Sequence, residues 1–335
     1  MSELVTRASE STFADTASDL RSGVASPLAL PLSERRSALD APAPVDAGAA
    51  TCHPALFLEP RAWTVHAVRQ LIAHGVPVVV LAASRLEPAC SVRGVRRQHL
   101  PPLVSRPDRW QASLLELAAT LEPRPAVYPC TAAAAELLQR TRRILDPHYV
   151  LAHQRPFDHP AERIAPDAAL RDALSRSEAA LEVQIVLDGK GCRTGGAVLA
   201  WATGAPPDVL VTSVAGNEVL ARSEDWLGAR HGVGYARLVW SPDRFGRLTL
   251  QAASRVPGPG LVLAGMDGVD FAFLAHAAAF GAAVAEQRPA CRLVRRLACC
   301  DTGDPNALEV GAPVRFHWRD PLPAAVAFLR SLKRS

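Results

Sequence analysis

The chain has no Cys-x-x-Cys pair, no Gly-x-Ser-x-Gly elbow, no apolar stretch at its N-terminus and no uninterrupted run of membrane-spanning length. Each absence excludes something. Seven cysteines, Cys52, Cys90, Cys130, Cys192, Cys291, Cys299 and Cys300, are an odd number scattered over 335 residues. They read as free thiols in a reducing compartment, not as a zinc or disulfide framework. The opening MSELVTRASESTFADTASDL carries acids where a secretory signal would be apolar, so a cytoplasmic location is expected. The longest apolar region, 261–284, is broken by Asp267, Asp270 and His276, each costly at a bilayer centre, and reads as a buried helix with its entry loop. Without the elbow, an α/β serine hydrolase has no support. A block of like charge is missing too: 37 basic and 33 acidic residues give a net +4, with arginines scattered through predicted helices. Neither nucleic acid nor a membrane is an expected partner.

What is present is core material. With 49% hydrophobic residues over 335 positions, the chain can bury two domains or two lobes of one. Residues 1–50 are rich in Ser, Ala, Asp and Pro and read as a mobile leader with at most a short docked segment. From His53 the pattern changes. PALFLE predicts a buried strand; Ala62 to His74 places Val65, Val68, Leu71 and Ile72 on one helical face, and Gly75 ends that helix. Val76 to Ala82 is a continuous β-branched run, as in a parallel strand covered on both faces. Asp108 to Leu121 predicts a helix and Pro125 to Pro129 a strand, and Thr131 is placed to cap a helix running to Leu145. Three or four parallel strands with crossover helices give an α/β lobe over 53–152.

The second half is expected to be antiparallel. After a helix at 167–179, Leu181 to Leu187 and Arg193 to Ala202 flank the turn Asp188-Gly-Lys-Gly191. Val209 to Val214 adds a strand and Asn217 to Ala229 a helix. Gly232 to Trp240 and Arg247 to Ala253 then flank Ser241-Pro-Asp-Arg-Phe-Gly246. This α+β lobe spans 165–286. A C-terminal extension, 287–335, holds Arg288, Arg292, Arg295 and Arg296 beside Cys299 and Cys300, with a strand near 314–318 and a helix from Pro321 to Leu332.

Several patterns carry candidate chemistry, each with a plainer reading. Gly189 to Gly196 fails the phosphate-loop pattern and lies between two strands, so it reads as a hairpin turn. Cys130, at a strand end, would serve as a nucleophile with a histidine elsewhere, although a thiol there commonly packs. His148, His153 and His159 lack the carboxylate order of a metal site and read as surface residues. Asp301 to Asn306 lacks the alternating acids of a calcium loop. Arg292, Arg295 and Arg296 read as a solvated face. Gly258-Pro-Gly260 through Gly268 reads as a loop closing a cleft.

Taken in order, PALFLE, GVPVVVLAAS and RPAVYPCTAAAAELLQRTRRIL with the pair His148-Tyr149 resemble the N-terminal preATP-grasp domain of carbamoyl-phosphate-synthase-like carboxylate-amine ligases, in the ATP-grasp superfamily. LDGKGCR, GVGYARLVW, SPDRFGR, LTLQAASR and the helix after GVD resemble the C-terminal part of the same family. The resemblance implies an α/β fold with a parallel lobe followed by an antiparallel ATP-grasp-like lobe. It also implies an ATP and magnesium site whose metal is held by acids on adjacent strands.

The departures from the family decide what that site would retain. Where the first strand should carry its Glu, Ala236-Arg-Leu-Val-Trp240 places Leu238 or Val239. Where the next should read Glu-x-Asn-Pro-Arg, the chain has Gln251-Ala-Ala-Ser-Arg255. Only Arg255 survives; Gln251 offers a neutral oxygen to a cofactor and Ala253 none. The interval 150–180 is too short for the lid subdomain that covers the nucleotide. The first βα turn, Glu59-Pro-Arg-Ala62, puts a carboxylate where a phosphate loop would put glycine.

The expectation is therefore a degenerate, internally shortened ATP-grasp-like protein acting as a binding, regulatory or scaffold component. No cofactor or metal is expected, and a small carboxylate or a protein partner would engage Pro129, Cys130, Thr131 and Arg255. Two alternatives stand beside it. One is an active ATP-dependent ligase in which Arg255 stabilises an acyl phosphate and ATP and Mg are bound. The other is a small-molecule enzyme using Cys130 or the histidines.

Overall fold

Ala55–Leu58 (β1) and Val78–Ala82 (β2) are buried at every residue, as strands covered on both faces must be. They are seen in a computed structural model of the chain, which describes residues 47–151, 163–164, 180–201, 209–211, 216–228, 234–243, 247–257, 260–266, 268–287 and 320–326. With Val95–His99 (β3) and Ala126–Pro129 (β4) they form a four-stranded, all-parallel sheet in the order β3-β2-β1-β4. Alternation divides the side chains between two cores. Phe57, Val80 and Tyr128 enter one; Leu56, Val79, Leu81 and Val127 enter the other.

Helices cover both faces. Thr64–Ala73 (α2) follows the short Ala47–Thr51 helix (α1) and β1, and buries Val65, Val68 and Leu71 against the first face. It stops at Gly75, whose φ of 80° suits glycine. Pro107–Ala118 (α3), Ala132–Arg140 (α4) and Arg142–Leu145 (α5) lie beyond β3 and β4 and supply Trp110, Leu114, Leu138 and Leu145 to the second core.

The remaining strands are antiparallel. Arg163–Ile164 (β5), Ala180–Leu187 (β6), Arg193–Trp201 (β7), Val209–Val211 (β8), Gly234–Pro242 (β9) and Leu248–Ser254 (β10) form a six-stranded sheet ordered β5-β10-β9-β6-β7-β8. The β6–β7 turn closes as its sequence predicts: Asp188 Oδ1 accepts from the backbone nitrogens of Lys190 and Cys192, each at 2.8 Å, and Gly191 takes φ 78°. One face packs Val183, Ile185, Leu238 and Trp240 on Trp226 and Leu227 of the Gly216–Gly228 helix (α6). Gly260–Met266 (α7) and Phe271–Ala279 (α8) follow β10.

Helix α8 joins the two sheets. Every residue from Phe271 to Ala278 is buried, and the helix touches α2 as well as β6 and β9. Residues of both sheets therefore share one apolar cluster, with Ala55 and Tyr128 beside Val186 and Tyr235. A helix apolar on every side but for His276 suits such a position. No helix of the described residues is long and apolar enough to cross a membrane.

An α/β lobe with a parallel sheet followed by an antiparallel α+β lobe is the expected fold class. No hydrophobic pattern in the sequence marks β3 as a strand. The leader before α1, the helix at 167–179, the turn residues 244–246 and the tail at 288–319, with its arginines and its strand, lie outside the described residues. Residues 322–326 are helical. Asp320, just before them, accepts from Arg69 of α2, whose Nε lies 3.1 Å from Oδ2.

Candidate functional site

In the strand order β3-β2-β1-β4 the chain turns outward in opposite directions from β1 and β4, so a crevice opens beyond their carboxyl ends. Glu59 and Thr131 stand there. Glu59 has φ 50°, left-handed for a residue with a side chain. Thr131 caps α4 by accepting from Ala134 N at 3.1 Å, and its hydroxyl donates to Glu59 Oε2 at 2.6 Å. The crevice is bridged by a side-chain bond where a phosphate loop would be open.

Cys130 lies beneath this bridge, 1% exposed. Burial pushes its thiol up to about 12, with a hydrogen bond involving Thr64 pulling the other way. It stays protonated at neutral pH, which argues against a nucleophile. His148 is exposed, and His153 and His159 lie outside the described residues. Cys52, Cys90 and Cys192 are free as well, Cys90 buried and the other two exposed.

Pro129 and Arg255, far apart in sequence, line the same small cavity. Its other walls include Phe57, Trp63, Tyr128, Tyr235 and Phe271. Among the described residues of the lining, Arg255 is the one charged side chain. It is 8% exposed, and its Nη1 donates to the carbonyl of Tyr235 at 3.3 Å. An apolar enclosure with one guanidinium suits a ligand with an apolar body and an anionic end.

Tyr128, a cavity wall absent from the sequence reading, is held from behind. Its hydroxyl lies 2.8 Å from His276 Nδ1, while His276 Nε2 lies 3.1 Å from the carbonyls of both Ala50 and His53. Carbonyls only accept, so Nε2 carries the proton, Nδ1 is the acceptor and the phenol donates. Burial holds the His276 pKa down, from 6.5 to about 4, and pushes the Tyr128 phenol well above its ordinary value.

The antiparallel sheet places the other expected positions. Of the two expected positions, Leu238 is buried on the α6 side of β9, away from the cleft, whereas Val239, opposite Glu182, shares the other face with Arg237. The chemistry on the opposite face belongs to Glu182, Gln184 and Arg237, which the sequence reading did not single out. Glu182 and Gln184 are fully buried; Gln184 Nε2 donates to Glu182 Oε1 at 2.7 Å, and Arg237 Nε lies 2.9 Å from Glu182 Oε2. Gln251 falls at an irregularity of β10, between Leu250 and Ala252, is exposed and does not line the cavity.

A divalent cation does not fit this arrangement. Among the described residues its oxygen donors would be Glu182 and the Gln184 amide, and a guanidinium already stands against the carboxylate. Among the described residues no group of three or more His, Cys, Asp or Glu is placed to hold a metal ion.

No family model matches the chain, and no curated protein matches it. In chain path it is similar to solved structures of ATP-grasp carboxylate-amine ligases and carboxylases. An L-amino acid ligase from Bacillus licheniformis is 12% identical, over 68% of this chain and 74% of that chain, at a TM-score of 0.46. N5-carboxyaminoimidazole synthetase from Staphylococcus aureus is 8% identical, over 70% and 78%, at 0.49. Biotin carboxylase from Campylobacter jejuni, in a β,γ-ATP complex, is 10% identical, over 69% and 71%, at 0.48.

Proposed function

We propose that the chain is a degenerate ATP-grasp-like protein that binds a small carboxylate and acts as a regulatory or scaffold component, without ligase activity. The observation that carries this reading is the cavity shared by Pro129 and Arg255, where a buried guanidinium meets apolar walls. A guanidinium with no metal partner can still pair a carboxylate in two parallel hydrogen bonds. Around it, Phe57, Trp63, Tyr128 and Phe271 exclude water and select an apolar body. The bond between Thr131 and Glu59 keeps a carboxylate at the crevice mouth, which disfavours a phosphate. Free thiols at Cys52, Cys90, Cys130 and Cys192 agree with a reducing compartment, and a cytoplasmic location belongs to the same proposal.

Calorimetry tests the reading. Titration with ATP and magnesium should release no binding heat, and saturable binding tighter than about 0.1 mM, roughly 5.5 kcal/mol, would overturn it. A panel of small aromatic and branched carboxylic acids should contain a binder whose affinity falls by about tenfold or more in Arg255→Gln.

A further inference from the structure

Glu182 is fully buried, and a carboxylate taken out of water needs a counter-charge as well as hydrogen bonds. The register of β6 and β9 supplies both. Gln184 stands opposite Arg237 and Glu182 opposite Val239, so Arg237 reaches Glu182 on the diagonal across one face. Gln184 gives its amide N–H to Glu182 Oε1 at 2.7 Å. That bond fixes the orientation of the amide and leaves Gln184 Oε1 buried with no hydrogen-bond partner among the described residues. The backbone of α7 closes the top: a Cβ at Gly260 would lie 2.4 Å from Gln184 Nε2 and 2.5 Å from Glu182 Oε1. The Arg237 side chain is 28% exposed, so it runs from the buried carboxylate toward solvent.

We infer that Glu182, Gln184 and position 237 form a latent divalent-cation site that Arg237 holds shut by serving as its permanent cation. The guanidinium supplies the positive charge that a metal would otherwise bring, and a second dipositive charge beside it would be repelled. With an acid in place of Arg237, two carboxylates would face each other as hard oxygen donors, and the Gln184 amide, turned over, would add its oxygen to them. The inference rests on this cluster and stands whether or not a carboxylate binds at Arg255.

The test uses the full chain and Mn²⁺ as probe, with the free ion followed by its paramagnetic resonance spectrum and folding by circular-dichroism melting. The native chain should show no saturable uptake below about 1 mM. Arg237→Glu should bind Mn²⁺ at least about tenfold more tightly and melt higher when Mn²⁺ is added, and a second change, Glu182→Gln, should abolish the gain. Tight Mn²⁺ binding by the native chain that Glu182→Gln removes would overturn the inference, as would a folded Arg237→Glu that binds no better than the native chain. Should Arg237→Glu fail to fold, the milder Arg237→Gln decides: adding Glu182→Gln to it should restore part of the lost stability, and no restoration refutes the pairing.

Discussion

Acidification from pH 7.5 to pH 5 should weaken the fold through His276. Its ring is buried at 0% exposure between helix α8, strand β4 and the α1 segment. Burial disfavours the imidazolium and lowers the pKa from 6.5 to about 4, against the opposing pull of the Ala50 and His53 carbonyls, with the nearby His53 adding a like charge. The unfolded chain therefore takes up this proton first as pH falls. The stabilisation is whole above pH 6.5, declines below it and is lost once pH has passed below about 4. The two pKa values differ by about 2.5, which corresponds to about 3 kcal/mol, and about 2 kcal/mol of this should be gone at pH 5. Urea unfolding at the two pH values, followed by circular dichroism, measures the loss. His276→Gln is the control, because it keeps a donor for the two carbonyls and does not titrate. The native chain should lose about 2 kcal/mol more than this variant between pH 7.5 and 5. Equal losses in both proteins would refute the reasoning, since other carboxylates and histidines would then account for all of the pH dependence.

Further substitutions test the packing around the two clefts. Gly260→Ala would put a Cβ 2.3 Å from Leu199 Cδ1 and against the Glu182–Gln184 pair; a loss of about 1–3 kcal/mol in urea unfolding is expected, and an unchanged midpoint would show that α7 does not press on the sheet. Thr131→Val removes the cap of α4 and the partner of Glu59, and should cost about 1–2 kcal/mol by the same measurement. Alkylation at pH 7.5 followed by peptide mass analysis should modify Cys52 and Cys192 in the folded chain but reach Cys90 and Cys130 only after unfolding. Modification of Cys130 at the rate of an exposed thiol would revive it as a nucleophile.

Local signals were legible in the sequence wherever one short segment carried them. The β-branched run at Val78–Ala82, the cap at Thr131 and the Asp188 turn each stand in the structure where local chemistry placed them. β3 escaped because Val95–His99 carries Arg96, Arg97, Gln98 and His99 at a sheet edge, where solvated side chains leave no hydrophobic period to read. The site was harder for a different reason. Along β9, Ala236, Leu238 and Trp240 are buried toward α6 while Arg237 and Val239 are half-buried on the other face, and Arg237 meets Glu182 there. The partners of Arg237, Tyr128 and Arg255 come from distant strands and helices, and no spacing along the chain encodes such pairings. Parity also changes what the loss of acids means. With Leu238 turned away, the cleft side of β9 presents Val239 opposite Glu182 and, beside it, a guanidinium directed at that carboxylate. A cleft that had merely lost its metal ligands would leave Glu182 buried without a counter-charge, at a cost of several kcal/mol. Arg237, 2.9 Å from Glu182 Oε2, supplies that counter-charge.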